Sequence, residues 1–422
     1  MQEPTALNAF EQLEPNRRNS LTILFGSGLL FWASIASLLP TLPLYVEDLG
    51  GTKAQIGLVM GAFALGLLPS RPWLGPLADR RGRKLVLWIG AAVVAIAPLG
   101  YLAIDSIPLL MVLRAFHGIS IAAFTTGYSA LVTDLSPPQR RGELVGYMSL
   151  VNPLGVAIGP AIGGFLQASL GYTPLFLMSF ALGSFSWLTL FAVEEPPREV
   201  AEGAGDRLDP ERSESFWRLL ASPQVRIPSF VMLTIGLVFG TIATFIPLYI
   251  KSANIDLNPG FFYTAAAIAS FSLRLFTGRA SDRYGRGLFI TGGLICYLVA
   301  MLGLWQAHSP IDILGAAFIE GCGAGTLIPM MVVLMADRCQ PHQRGRFFAL
   351  CIGGFDLGIA LAGPILGAIA QDVGYRNMFG IAASMAAIAL VTFVTQSSQT
   401  VKQSVRFALG RSVDVYAVKN GL

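Results

Sequence analysis

The chain has 422 residues, of which 13% are charged and 54% hydrophobic, and a formal net charge of +4. A water-soluble chain of this length would carry about 25% charged residues, so this composition excludes an ordinary soluble enzyme. It also leaves no basic domain for a nucleic acid to bind, because the positive charge is explained by topology, as set out below.

The apolar residues gather into blocks, each near the roughly 20 residues that cross a bilayer core. In chain order the predicted spans are 21–45, 54–74, 85–104, 107–131, 145–167, 173–193, 227–250, 259–277, 288–307, 311–334, 347–369 and 375–395. The tail before them, residues 1–20, places Glu3, Glu11 and Glu14 ahead of Arg17 and Arg18. It lacks the basic start and small-residue cleavage site of a secretory signal, so the first span is expected to be retained. Between the sixth and seventh spans, Glu194 to Ser222 is rich in Glu, Asp, Arg, Pro and Gly without an apolar period, which predicts a linker over 194–226. A tail with scattered Lys and Arg, residues 396–422, follows the last span and reads as partly amphipathic. The expected architecture is therefore an all-α integral membrane protein of twelve transmembrane helices, with six-helix bundles at 21–193 and 227–395.

Lys and Arg set the orientation, since positive residues are retained on the cytoplasmic side. With both termini inside, only Lys53, Lys251 and Arg376 fall on the opposite side and Arg114 inside a span; the rest of the 29 collect at the cytoplasmic ends. Cys296, Cys322, Cys339 and Cys351 have no C-x-x-C spacing and read as packing residues rather than a disulfide framework or a zinc site. No metal and no cofactor are expected.

The two halves are copies. A shift of 203 lays Arg71 on Arg274, Gly75 on Gly278, Asp79 on Asp282, Gly82 on Gly285 and Arg83 on Arg286, and continues through Gly118 with Gly321, Asp134 with Asp337, and Arg141 with Arg344. One extra residue brings Gly159 and Pro160 onto Gly363 and Pro364. Such a duplicated six-helix unit is expected to pair about an axis along the membrane normal, with a solute site near the midplane.

Between the second and third spans the chain reads G-x-L-A-D-R-x-G-R-K, with Gly75, Asp79, Arg80, Gly82, Arg83 and Lys84. A weaker copy stands at Gly278, Asp282, Arg283, Gly285 and Arg286. The glycines permit a tight turn, and Asp79 stands where it could accept from free N–H groups at a helix start. This loop resembles the signature of the major facilitator superfamily, and the resemblance runs from about Leu21 to Thr395. It implies that Asp79 meets the start of the eleventh span near Arg346 when the cytoplasmic side is closed, with Asp282 and the fifth span as the mirror pair. Asp134 or Glu143 pairing with Arg80 or Arg83 would strengthen that latch.

The fourth span carries Arg114, Ala115, Phe116, His117 and Gly118. This resembles the family's R-x-x-Q-G pattern, with His117 where Gln is usual. A central Arg costs at least about 2.5 kcal/mol on insertion scales, so Arg114 is expected to face a wet cavity or a carboxylate. His117, one turn on, is either a proton relay or a hydrogen-bonded packing residue. In the fifth span Gly155, Gly159, Pro160, Gly163 and Gly164 resemble the G-x-x-x-G-P-x-x-G-G motif of exporters that exchange drugs or metabolites for protons, and small residues at this spacing also let helices approach closely. Gly363 and Pro364 repeat part of it in the eleventh span. Glu320 and Asp356 each lie about nine residues into a span, near the midplane at 1.5 Å per residue, as candidates to exchange a proton for a solute.

These readings favour an alternating-access, proton-coupled exporter of a small organic solute or drug, acting as a monomer in the inner or plasma membrane. The alternatives are an uptake symporter or sugar-efflux protein, since Arg114 with His117 could take an anionic or polyhydroxylated solute, and a receptor or assembly factor that keeps the fold without transporting. No H-E-x-x-H, G-x-S-x-G or phosphate loop is present, so no enzyme is expected.

Overall fold

The computed structural model describes residues 13–137, 140–196, 216–340 and 343–418. The expected linker falls mostly outside these, as does most of the N-terminal tail, and the side chain of Asp282 with the surroundings of Gly278 is likewise outside the described set. The helices in chain order are α1 (Pro15–Ser37), α2 (Leu42–Asp48), α3 (Lys53–Arg81), α4 (Arg83–Ala103), α5 (Ile107–Leu135), α6 (Arg141–Met148), α7 (Val151–Leu170) and α8 (Tyr172–Thr189). They continue with α9 (Phe216–Ala221), α10 (Pro223–Ser252), α11 (Gly260–Tyr284), α12 (Arg286–Gln306), α13 (Pro310–Asp337), α14 (Arg344–Gln396) and α15 (Val401–Ala408).

Ten segments among the described residues are long and apolar enough to cross a membrane. One of them lies within α14, which is two helices meeting at Gly374, where a φ of 78° ends one and starts the other. The 25-residue α11 is long enough to span, with Arg274 and Arg283 in its second half. Dividing α14 and counting α11 yields the twelve helices expected.

Local chemistry sets the boundaries. Thr52 with Gln55 and Ser309 with Asp312 form reciprocal caps at the starts of α3 and α13. The first span breaks over Leu38–Thr41 into α1 and α2, where Pro40 and Pro43 lack the N–H groups that an unbroken helix would use. The fifth span likewise breaks at Ser149–Leu150, where Pro153 cannot donate to the carbonyl of Ser149. Residues expected in the linker, 216–221, form α9, and α10 begins at Pro223.

The chain forms two compact units. The first comprises Met1–Pro197, Ile246–Ile250 and Leu257–Thr264, and the second Arg198–Phe245, Lys251–Asp256 and Ala265–Leu422. In the first, α1 packs on α7 through small residues: a Cβ at Gly155 would strike Trp32, and one at Gly163 would strike the backbone of Ser37. On another face α1 meets α8 through paired hydroxyls, Ser27 with Ser186 and Ser34 with Ser179, each 3.0 Å apart. Phe31 stacks on Phe124 with ring centroids 3.8 Å apart, so it is a core residue of this unit.

In the second unit α10 packs on the first part of α14, with Gly236 against Phe355 and Gly358 against Leu233. The chain after α14 folds back. α15 buries Phe407 and Ala408, a Cβ at Gly287 of α12 would strike the carbonyl of Phe407, and Thr291 donates to Ala408 O at 3.0 Å. Arg338, at the end of α13, is fully buried and donates to both oxygens of Asp414 at 2.6 and 3.0 Å. Its other N–H groups reach Gln224 O at 2.9 Å and Ser397 O at 3.0 Å, and the ring of Tyr416 lies 5.0 Å away. A buried charge survives only when its donors are met this completely.

Candidate functional site

The sequence nominates two kinds of residue: loop residues at one end of each unit, and polar residues inside the spans. In the first loop Gly82 has a φ of 130°, a value that an L side chain rarely adopts, and it joins α3 to α4 without a connecting segment. The next residue, Arg83, donates to Asp134 at 2.9 Å and to Asp79. Of the pairings expected to brace this loop, Arg83 with Asp134 forms. The backbone N–H groups of Arg83 and Lys84 donate to Glu195 at 2.9 and 3.3 Å, so a carboxylate from beyond α8 caps the free start of α4. Arg80 is exposed and Gly75 has open space beside it.

The second loop repeats the brace. Gly285 has a φ of 90°, Arg286 reaches Asp337 at 3.3 Å and Ser281 at 2.7 Å, and Arg283 lies over the ring of Tyr284 at 5.4 Å. The two Arg–Asp pairs share a sequence separation of 51 residues, as a duplicated unit requires.

Inside the first unit, Arg114 and His117 of α5 come together, with Arg114 Nη1 3.5 Å from His117 Nδ1. Tyr101 of α4 also reaches Nδ1, at 3.1 Å. A guanidinium can only donate, so Nδ1 accepts and the ring proton sits on Nε2, which has no hydrogen-bond partner among the described residues. Arg114 is 6% exposed and lies over the ring of Phe63, 4.4 Å from its centroid. Within this unit the face of that aromatic ring supplies negative potential to the guanidinium.

The second unit holds a matching cluster. The shift of 203 that aligns Gly118 with Gly321 also aligns His117 with Glu320, and Glu320 is 3% exposed. The glycines beside them serve close packing. A Cβ at Gly118 would strike the backbone of Phe63, and one at Gly321 the backbone of Ala266, so the fourth helix of each half presses on the second. Tyr297 of α12 lies within electrostatic reach of both Glu320 and Arg274. Glu320 Oε1 and Arg274 Nε have no hydrogen-bond partner among the described residues. Each half thus encloses a titratable group of its fourth helix beside a tyrosine of its third.

Asp356 is half-buried in α14, next to Phe355, whose ring lies 5.6 Å from that of Phe239. Gly159 faces the backbone of Ala33, and Pro160 and Pro364 lie inside α7 and α14, with Gly363 beside the latter. Sequence reasoning missed Tyr101, Tyr297, Glu195 and the Arg338–Asp414 pair. The tyrosines carried a signal, since a polar hydroxyl within an apolar span needs a partner.

The family model described as Major Facilitator Superfamily matches residues 24–310 and 259–413. The multidrug resistance protein MdtG of Enterobacter lignolyticus is 28% identical over 381 residues, covering 87% of this chain and 90% of that protein. The staphylopine export protein of Staphylococcus aureus is 26% identical over 86% of this chain and 92% of its own length. The quinolone resistance protein NorA of the same organism is 29% identical over 82% and 92%. Among solved structures, the nucleoside transporter NupG superposes with a TM-score of 0.77 at 15% identity over 89% of this chain and 99% of that one. A bacterial homologue of the lysosomal transporter Spinster superposes with a TM-score of 0.71 at 15% identity over 97% and 100%.

Proposed function

Because the chain belongs to the Major Facilitator Superfamily and is a multi-pass membrane transporter rather than an enzyme, we propose that it exports a small organic solute or drug in exchange for protons. The observation that carries this reading is the repeat-related pair His117 and Glu320. Two titratable side chains are buried at one position of the duplicated unit, each beside a tyrosine, in a setting where a buried ionisable group is costly unless it works. The names of the relatives above, one an export protein and two drug-resistance proteins, support the direction.

In this reading the bundles 21–193 and 227–395 alternate access in the inner or plasma membrane, with both termini cytoplasmic and the braced loops forming only on one side of the cycle. Glu320 exchanges the proton with the solute. Asp356, less buried, lines the path, and Arg114 with His117 orients the polar end of the solute. The Arg114–Phe63 arrangement supports a second reading, uptake of an anionic solute, because the guanidinium has no carboxylate partner within its unit among the described residues.

Proteoliposomes loaded with a pH-sensitive dye and challenged with cationic, neutral and anionic solutes separate these readings. Solute-driven proton counterflow in the wild type should fall to the level of empty liposomes in Glu320→Gln and persist, reduced, in Asp356→Asn. Proton and solute moving in the same direction would replace antiport with symport.

A further inference from the structure

Between the second loop and the folded-back C-terminal segment lies a cavity of about 620 Å³, within the size range of small-molecule sites. Ser281, Arg283 and Arg286 line one wall, and Arg411, Ser412 and Val413 the other. Its carboxylates are already engaged, Asp337 by Arg286 and Asp414 by Arg338. Arg283 and Arg411 are exposed on opposite walls, and the guanidinium of Arg283 is held over Tyr284. The segment that forms the second wall is basic throughout: between 396 and 418 it carries Lys402, Arg406 and Arg411, and Asp414 is its one acid.

The same wall is also apolar where it meets solvent. Val413 is 84% exposed and Val418 38% exposed. A soluble anion has no use for exposed valines beside two guanidinium groups; a phospholipid does, since it joins a phosphate to glycerol and acyl chains. The position fits as well, because α15 follows directly from the last membrane-crossing helix, where headgroups lie.

We propose that this cavity binds the headgroup of an anionic phospholipid, with Arg283 and Arg411 holding the phosphate, Ser412 donating to it, and Val413 and Val418 against the apolar part. The Arg338–Asp414 pair fixes the second wall, so the site is built before the lipid arrives. Arg286 remains with Asp337. The assignment is independent of what is transported and in which direction.

The test uses the purified full-length chain in detergent, titrated with phosphatidylglycerol or phosphatidylcholine of the same acyl composition, and read by native mass spectrometry and thermal unfolding. Phosphatidylglycerol should bind and raise the unfolding temperature, and phosphatidylcholine should do neither. The double variant Arg283→Gln/Arg411→Gln should bind about 25-fold more weakly, at about fivefold per basic group near an anionic lipid, while Arg17→Gln, on the first unit, should bind like wild type. Monodisperse elution of each variant confirms that it is folded. Equal binding by the double variant, or equal binding of the two lipids, would overturn the site. Displacement of phosphatidylglycerol by millimolar inorganic phosphate would overturn the lipid assignment in favour of a soluble anion.

Discussion

The two loops that join the second and third helices of each half are built from the same residues and finished differently. Both turn on a glycine with positive φ, and both anchor the following arginine to an aspartate 51 residues on. In the first half the helix start is then capped by a single side chain, Glu195. In the second half an entire segment, 397–418, returns to the same region and is pinned by a buried ion pair. The brace belongs to the duplicated unit, while the closing element was elaborated separately in each copy. Such a division separates what the duplicated unit shares from what each bundle needs to stay intact.

The largest break in that comparison should come from Asp414→Ala. It leaves the guanidinium of Arg338 buried with half its partners gone, which typically costs about 3–5 kcal/mol. The unfolding temperature should drop sharply, and limited proteolysis should cut after residue 396. A variant that unfolds like the wild type would mean that the segment is a passenger. Next in size is Glu195→Ala, which removes two charge-assisted bonds from the start of α4 and should cost about 1 kcal/mol. Faster hydrogen exchange confined to the first turn of α4 would check it, and an unchanged exchange pattern would show that solvent caps the helix as well.

The smallest effect on stability is expected for the braces themselves. Their carboxylates are 37% and 41% exposed, and a pair this accessible contributes about 0–1 kcal/mol after screening. Asp134→Asn and Asp337→Asn should therefore leave the unfolding temperature nearly unchanged and slow solute transport in proteoliposomes by similar factors. Unequal slowing would show that the repeat has kept the geometry of the brace but not its role.

Much of this was legible in the sequence because the bilayer imposes a strict spacing and the duplication supplies an internal check. The loop residues, the repeat and the Arg83–Asp134 brace all lie in motifs that align at one shift. Arg338 does not: its partner position in the first half is Leu135, and its counter-charge stands 76 residues away in a segment with no repeat mate. Periodicity could mark that segment as amphipathic but could not say what it packs on. The Phe63 contact of Arg114 was illegible for a different reason. Insertion cost predicts that a buried cation has a partner, but the ring of Phe63 is brought to it by α3–α5 packing that no local pattern encodes. Breaks at Leu38–Thr41 and Ser149–Leu150 follow from prolines plainly visible in the chain, yet hydropathy averaged over 20 residues smooths them away.

The hydroxyl pairs between α1 and α8 join the first and last long helices of the N-terminal bundle, so that bundle can close as soon as residue 193 has entered the bilayer. In its neighbour one fastening comes late. Arg338 emerges from the ribosome long before Asp414, and until the last segment arrives the cation must wait in water or against lipid headgroups. Vectorial synthesis thus makes one half complete early and leaves the other dependent on its final residues, so a nonsense mutation past residue 396 should act as an assembly defect of the C-terminal bundle rather than as the loss of a dispensable tail.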